Sequence, residues 1–569
     1  MRTYSLALTL LLISVFSVLK AQTVYYPINP EFYQLVDRYE ILDGKNSTQI
    51  YTSIKAYERS AVMAFADSLK ADSAQWSSSD KFNFSYLRDD NWEYGDSATG
   101  RSRKPFLKAF YQKKSDFYSV NVKDFVLHVN PVIYFSGGKE WSGSTNYNYI
   151  NTRGIEVRGM IAKKIGFYTF MADNQAIFPQ YTRNFIAAAD AVPNEGYYKT
   201  NGAYVSDFLT ARGYITFQVT PYINFQFGHD KNFIGHGYRS LVQSDFSANN
   251  TFLKTNLRIW KLNYMALFNV MNAQVSFPGD TLYPKKYNAI HHLSINIGKK
   301  FNLGIFESIM FGRGDSMQQG TFDIGYLNPV IFYRYMEQQN GSYDNAMLGM
   351  DFKWLLLKHF SLYGQFVIDE LIIDQVKSGD GWWGNKQGLQ LGMKYINVAG
   401  IKNLDLQLET NWARPFMYQH KNLYTSFTHY NQAVAHPLGA NFKEFIAIVR
   451  YQPIARLHLT LKTIAYQYGA DSSSVLTQNG VGQNNGGNPL KSYMPVAQAN
   501  PFNQFIGQGV KTNVLYISFT ASYMVKHNLF VDFTQILRKS DSAIDSRDLN
   551  TNFTSIALRW NIGQRLQEF

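Results

Sequence analysis

From about residue 120 to the end, apolar and polar residues alternate with a period of two. Ile155 and Val157 alternate with Glu156 and Arg158, and Ile215, Phe217 and Val219 with Thr216 and Gln218. Ile223, Phe225 and Phe227 alternate with Asn224 and Gln226. Leu404, Leu406 and Leu408 alternate with Asp405, Gln407 and Glu409, and Leu457, Leu459 and Leu461 with His458 and Lys462. The closing stretch FTSIALRWNI does the same, with Ile556, Leu558 and Trp560 set against Ser555, Ala557 and Arg559. Successive side chains of a strand point to opposite faces, so charges kept to one face of so many segments require one wet face and one apolar face.

A soluble β-protein can meet that requirement, and so can a barrel in a membrane. The links between segments favour the barrel. Short turns fall near Lys163, Pro221, Lys261, Lys300, Lys358, Gly400, Pro453 and Lys526. Long connections fall between them, near residues 177–207, 229–250, 273–288, 313–344, 371–386, 413–442 and 469–511. Two more, near 136–150 and 538–551, flank the series. Alternating short and long links give an outer-membrane barrel its sidedness, with short periplasmic turns and long extracellular loops. A first strand near 122–135 and a last at 552–562 give about eighteen strands, an even count that leaves both ends of the barrel on the periplasmic side. The expected fold is therefore all-β: a transmembrane up-and-down antiparallel barrel of about eighteen strands with a small, partly helical N-terminal periplasmic domain.

Composition agrees with this. Of 569 residues, 40 are Tyr and 42 are Phe, an excess that suits the aromatic girdles of such barrels. The mean hydropathy of −0.26 is what results when lipid-facing and lumen-facing residues cancel. The first residues, MRTYSLALTLLLISVFSVLKAQT, have a basic start, an apolar run too short to span as a helix, and a small residue at Ala21. Residues 1–21 are read as a cleaved secretory signal peptide, and no later stretch of about 18 apolar residues reads as a spanning helix. There is no cysteine, hence no disulfide framework. Export makes nucleic acid an unsuitable partner for the net charge of +13, which points to acidic polysaccharide or lipopolysaccharide.

Residues 22–118 read differently from the barrel at 119–569. Ile54, Tyr57, Ala61, Phe65 and Leu69 recur at helical spacing behind the capping types Asn46, Ser47 and Thr48, and Asp72 to Asp80 reads as a loop.

At FGHDKNFIGHGYRSLVQSDFSANN the chain resembles the capsule-assembly Wzi family, through Gly235, Gly237, Ser240, Leu241 and Ser244. Ile234 and His236 stand where that family has Trp and Pro, and Asp245 where it has Asn. The stretches YYPINPEFYQLVDRYEIL, FGHDKNFIGHGYRSL, FESIMFGRGD, GYLNPVIFYRYME and LYGQFVIDEL resemble its RemB-like gliding-motility branch. The resemblance implies an eighteen-stranded outer-membrane barrel with a helical periplasmic element. It also implies lectin-like retention of capsular polysaccharide, with involvement in gliding.

The residues that could carry binding chemistry are few. Trp382 and Trp383, in KSGDGWWGNKQG, offer flat faces for sugar rings, or else anchor a strand at the membrane interface. His236, Tyr238 and Arg239, with Arg313 in FESIMFGRGD, are the remaining ligand-binding candidates, since guanidinium groups suit acidic sugars. The glycines of that His229–Leu241 loop lack the spacing of a phosphate cradle and suit a tight fold-back. Asp369 and Glu370 are adjacent, so on a strand they point apart and make a weak glycosidase pair; His291 and His292 cannot easily share a metal for the same reason. No HExxH or GxSxG occurs. The expected role is non-enzymatic, without cofactor or metal: attachment or organisation of surface polysaccharide. Diffusion through an open lumen, or adhesion to a protein such as gliding or secretion machinery, are the alternatives. Leu327, Val330, Ile331 and Tyr335 are expected on one helix face of a long loop that folds into the lumen and narrows it.

Overall fold

The computed structural model describes residues 23–69, 76–143, 145, 147–273, 283–312, 322–341, 344–471 and 484–569. Each two-faced segment of the sequence is a strand, and the strands pair in chain order until the last meets the first. Eighteen strands close the ring. They are β1 (Phe125–Glu140), β2 (Asn148–Ile161), β3 (Ile165–Ile177), β4 (Val205–Thr220), β5 (Ile223–Asp230) and β6 (Asn250–Ile259). Then come β7 (Leu262–Asn272), β8 (Lys285–Ile297), β9 (Phe301–Phe311), β10 (Asn345–Leu356), β11 (Phe360–Glu370) and β12 (Lys386–Tyr395). The last six are β13 (Leu404–Ala413), β14 (Phe442–Ile454), β15 (Leu457–Ala470), β16 (Val510–Lys526), β17 (Leu529–Ser542) and β18 (Leu549–Trp560). Closure sets Phe553–Trp560 antiparallel to Ile133–Glu140.

The faces are those the alternation demands. Along β18, Ile556 is 61% exposed and Leu558 40%, while Arg559 between them and Trp560 is 1% exposed and points inward. The turns at Ala162–Lys163 and Leu357–Lys358 put both central residues at positive φ, which matches the twist of the strands they join. At this short-turn end Tyr222, Trp260, Trp354 and Tyr523 are exposed on the wall, as an interfacial girdle requires.

The N-terminal residues close the barrel at the short-turn end. Helix α1 (Pro30–Asp43) is capped by Asn29 and stops at Gly44, whose φ of 70° a side chain would resist. Helices α2 (Arg59–Ser68) and α3 (Ser78–Asp89) pack on it through Tyr33, Val36, Tyr39, Val62, Phe65 and Leu87. Ile54 and Tyr57 precede α2 and do not lie on it, because Ile54–Lys55 is a short strand paired with Phe233–Ile234 inside the barrel. The serine-rich stretch read as a loop to Asp80 turns helical at Ser78, where Ser77 and Asp80 form a reciprocal capping box. Residues 1–22, including the expected signal segment, lie outside the described residues.

One long loop takes a course the sequence did not suggest. The 322–341 segment, with helix Tyr333–Gln339, lies on the outer wall and not in the lumen. Its Tyr326 and Tyr333 cover outward-facing Phe268, Ala289, Ile309 and Phe311. The Tyr264 hydroxyl donates to the Pro329 carbonyl from the same outer wall. Leu327, Val330 and Tyr335 are 39%, 86% and 55% exposed, so they form no lumen-facing stripe. The reason is beneath the flap. Outward-facing His291 and Glu307 pair at 2.9 Å, and the Tyr333 amide donates to Glu307 at 2.9 Å. A hydrogen-bonded imidazole–carboxyl pair bare to hydrocarbon is costly, and the flap seals it. Tyr333→Gly is therefore expected to lower the unfolding temperature of the barrel in detergent. The double change His291→Leu with Glu307→Leu, made in that background, is expected to restore most of the loss; no recovery would mean the flap does not serve as a seal.

Candidate functional site

The lumen is filled from both ends. Between α1 and the wall run charged contacts: Arg38 to Asp405, Asp37 to Lys394 at 2.5 Å, Glu40 to Lys353 at 2.5 Å and Glu31 to Arg559 at 2.9 Å. The same domain is tied to the short turns. Asn83 donates to Gln452 at 2.8 Å, Tyr86 to Asn528 at 2.7 Å, and the Asn46 amide to the Lys299 carbonyl at 2.6 Å. From the other end, residues 231–249 and 414–441 fold inward. Ile234, Leu241, Met417, Phe427 and Val434 pack on the inward-facing Phe252, Met265, Leu267, Ile290, Phe306 and Met310. That arc of the inner wall is a dry core, which the wet-lumen expectation did not include. Residues 561–569 fold back into the lumen as well, where Phe569 packs on Phe185 and Phe246 and Lys462 pairs with Glu568. A cavity of about 450 Å³ remains between α1, this tail and the wall.

The Gly-rich loop belongs to this filling. Gly235 has a φ of 127°, which a side chain resists, and a Cβ on Gly237 would come 2.4 Å from the Gln390 side chain, which would have to give way, so the glycines let the loop lie close to the wall. His236 is buried, with Nε2 3.6 Å from Asp351 and Nδ1 3.4 Å from the Thr52 hydroxyl; burial pushes its imidazole below the ordinary value. The Tyr238 and Arg239 amides donate to Glu409 at 2.6 and 3.0 Å, and Arg239 lies 3.4 Å from Glu444. These three candidates are thus held inside the barrel, away from the long-loop surface. Arg313 lies outside the described residues.

Trp382 and Trp383 stand at the long-loop end, half-buried. Trp383 stacks on Tyr493 with ring centres 4.4 Å apart, and Lys386 Nζ lies 4.4 Å from the Tyr493 ring. The Trp383 amide donates to the Pro501 carbonyl at 2.8 Å, which joins residues 371–385 to a second loop carrying exposed Phe502 and Phe505. The result is an aromatic rim built from two loops. Sequence spacing missed Tyr493, Phe502 and Phe505, which lie more than 100 residues from the tryptophans.

Asp369 and Glu370 are adjacent on β11, and a register shift between Ile368 and Glu370 brings both to Lys386, at 3.7 and 3.2 Å. The bulge undoes the expected divergence, and the pair neutralises a lysine. His291 and His292 do diverge: His291 faces out to Glu307, and His292 faces in to Asp351 at 2.6 Å.

No protein-family model and no curated protein sequence matches the chain. Among solved structures it is similar to Wzi of Escherichia coli, described as a carbohydrate-binding outer-membrane β-barrel involved in group 1 capsule assembly. The TM-score is 0.55 at 11% identity, over 95% of this chain and 100% of that one. Weaker likenesses are to OprD of Pseudomonas aeruginosa (TM-score 0.40, 10% identity, 77% of this chain and 95% of that one) and to OccAB2 of Acinetobacter baumannii (0.42, 9%, 77% and 98%). At these identities the likeness fixes the fold and leaves the ligand to the residues themselves.

Two outcomes follow from the filled lumen. In planar bilayers the intact protein is expected to show no steady conductance; a stable open level would overturn the occlusion. The second concerns pH. Burial pushes the Asp37 and Asp90 carboxyls up, but Lys394 beside Asp37 and Arg59 beside Asp90 outweigh it and hold both below the ordinary carboxylate range. Their stabilisation is present above the unfolded value of about 4 and is lost as pH falls through the folded values. Protease cleavage within residues 23–117 is expected to rise as pH drops from about 5 towards 2. The barrel strands should stay protected over that range.

Proposed function

We propose that this protein is an occluded outer-membrane barrel that retains exopolysaccharide at the cell surface and does no covalent chemistry. The observation that carries the reading is the dry core between the inner wall and residues 231–249 and 414–441, which leaves the long-loop face as the working surface. On that face, Trp382, Trp383, Phe502 and Phe505 supply ring faces, with buried Tyr493 backing Trp383, beside Asn and Gln side chains, the combination that suits pyranose stacking with hydrogen bonding at the edge. The fold likeness to a barrel described as carbohydrate-binding supports the same reading. In this reading the N-terminal domain lies on the periplasmic side, the signal segment is removed on export, and the retained polymer is acidic, in keeping with the basic chain. A contribution to surface gliding follows if cells pull against that polymer. A diffusion channel fits poorly with a filled lumen.

The test is a deletion strain complemented with the natural gene or with Trp382→Ala/Trp383→Ala. Two stacking contacts at about 1 kcal/mol each set a loss of roughly tenfold or more in single-site affinity. Polymer is expected to move from the cell-bound fraction to the medium while total synthesis holds. An unchanged partition, with the variant folded and at the surface, would remove the aromatic rim from the mechanism.

A further inference from the structure

The outer wall carries a groove that the polysaccharide reading does not use. It has a volume of about 500 Å³ and crosses β13 to β17 near their long-loop ends. Its floor is set by register. Ala465 on β15 lies between Phe445 on β14 and Leu515 on β16, and one row nearer the short-turn end Ala447 and Thr463 are neighbours. Two bulky apolar side chains thus flank a strip of small ones that faces outward, within the lipid-facing band. A slot of this kind fits an acyl chain.

At its long-loop end the slot meets charge. Lys443, Lys511 and Lys539 all point outward and are exposed, while their neighbours Glu444, Thr512 and Ser540 are buried on the inner face. None of the three makes an ion pair among the described residues, and Asp541 is the one carboxylate on the same outward patch. Gln467 and Asn513 sit between them, in register from Lys443 across to Asp541. Lys443 and Lys539 lie three strands apart, a lateral separation of about 14 Å at the usual strand spacing. Elsewhere on the outer wall, Arg153 has its own carboxylate in Asp173, at 3.6 Å.

We infer that this groove is a binding site for a phosphorylated, multiply acylated glycolipid of the outer leaflet. One chain lies over Ala465, Ala447 and Thr463, and the separated lysines bind two head-group phosphates. Gln467 and Asn513 meet the sugar between the phosphates. Such a lipid is continuous with the surface that the apolar band already contacts, and it supplies the negative charge the patch lacks. The inference rests on the outer-membrane placement and not on polysaccharide retention.

The test uses the full-length protein in detergent micelles, titrated with bis-phosphorylated lipid A and followed by native mass spectrometry. Dephosphorylated lipid A and phosphatidylglycerol are titrated in parallel. The natural protein is expected to hold about one lipid A through detergent exchange, and to hold the other two lipids far less. The triple change K443Q/K511Q/K539Q should weaken binding at least roughly tenfold. Ala465→Trp, which fills the slot and keeps every charge, should weaken it as well. The short-turn triple K163Q/K261Q/K358Q removes equal charge at the other end and should bind as the natural protein does. Equal loss in both triples, equal binding of phosphatidylglycerol, or full binding by Ala465→Trp would each overturn the site. Polysaccharide partition is read separately in cells, so failure here and failure of the retention reading are distinguishable.

Discussion

Everything in this molecule depends on the pairing of β18 with β1. In hydrocarbon no water satisfies an open strand edge, so a sheet that spans must close on itself. Phe553–Trp560 closes on Ile133–Glu140, and the short strand Tyr118–Val122 pairs with Val126–Val129 and Phe125 on the remaining part of that β1 edge. One strand edge is thus satisfied by two segments more than 400 residues apart in sequence. Closure at this strand number creates the next problem, because a ring of this size encloses space that something must occupy.

The chain itself occupies it, in two chemically distinct ways. Where the inner wall is apolar, towards the long-loop ends of β6 to β11, residues 234–242 and 416–440 bring apolar side chains to meet it. Where the wall is charged, α1 brings the complementary charge: Arg38 for Asp405, Asp37 for Lys394, Glu40 for Lys353. Buried pairs of this kind add little net stability, since desolvation offsets attraction, but a mismatched partner is strongly destabilising. They therefore specify one seating of α1 among the rotations and depths that a greasy plug would tolerate. The apolar contacts supply the cohesion and the charges supply the register.

How much of this was legible in the sequence follows from the range of each interaction. Alternation and turn spacing are local, so the strands, their faces and the alternating links could be read from residues such as Ile556 to Arg559 or the turn at Lys163. The seating of α1 could not, because Arg38 and Asp405 are 367 residues apart and nothing near either one names the other. The glycines of the 229–241 loop signal a tight course, but nothing near them in sequence shows that it runs against Gln365 and Gln390 inside the barrel. For that reason His236, Tyr238 and Arg239, attractive as loop residues, lie inside the barrel and not on the long-loop surface. Trp382 and Trp383 were legible as a pair, and their stacking partner Tyr493 was not.

The same reasoning explains why His291 misleads when read by alternation alone. It occupies an outward position on β8 flanked by Ile290 and His292, so the period-two rule assigns it to lipid, where an imidazole paired with a carboxylate should not persist. The contradiction is resolved by residues some 40 positions away, whose tyrosine ring stacks on the imidazole with centres 4.0 Å apart. An outward polar residue in a barrel strand is thus a local sign that something covers that stretch of wall. The three outward lysines Lys443, Lys511 and Lys539 are the contrasting case: polar, outward and uncovered by the chain. They sit where the apolar band ends, so the cover they call for lies in the membrane and not in the protein.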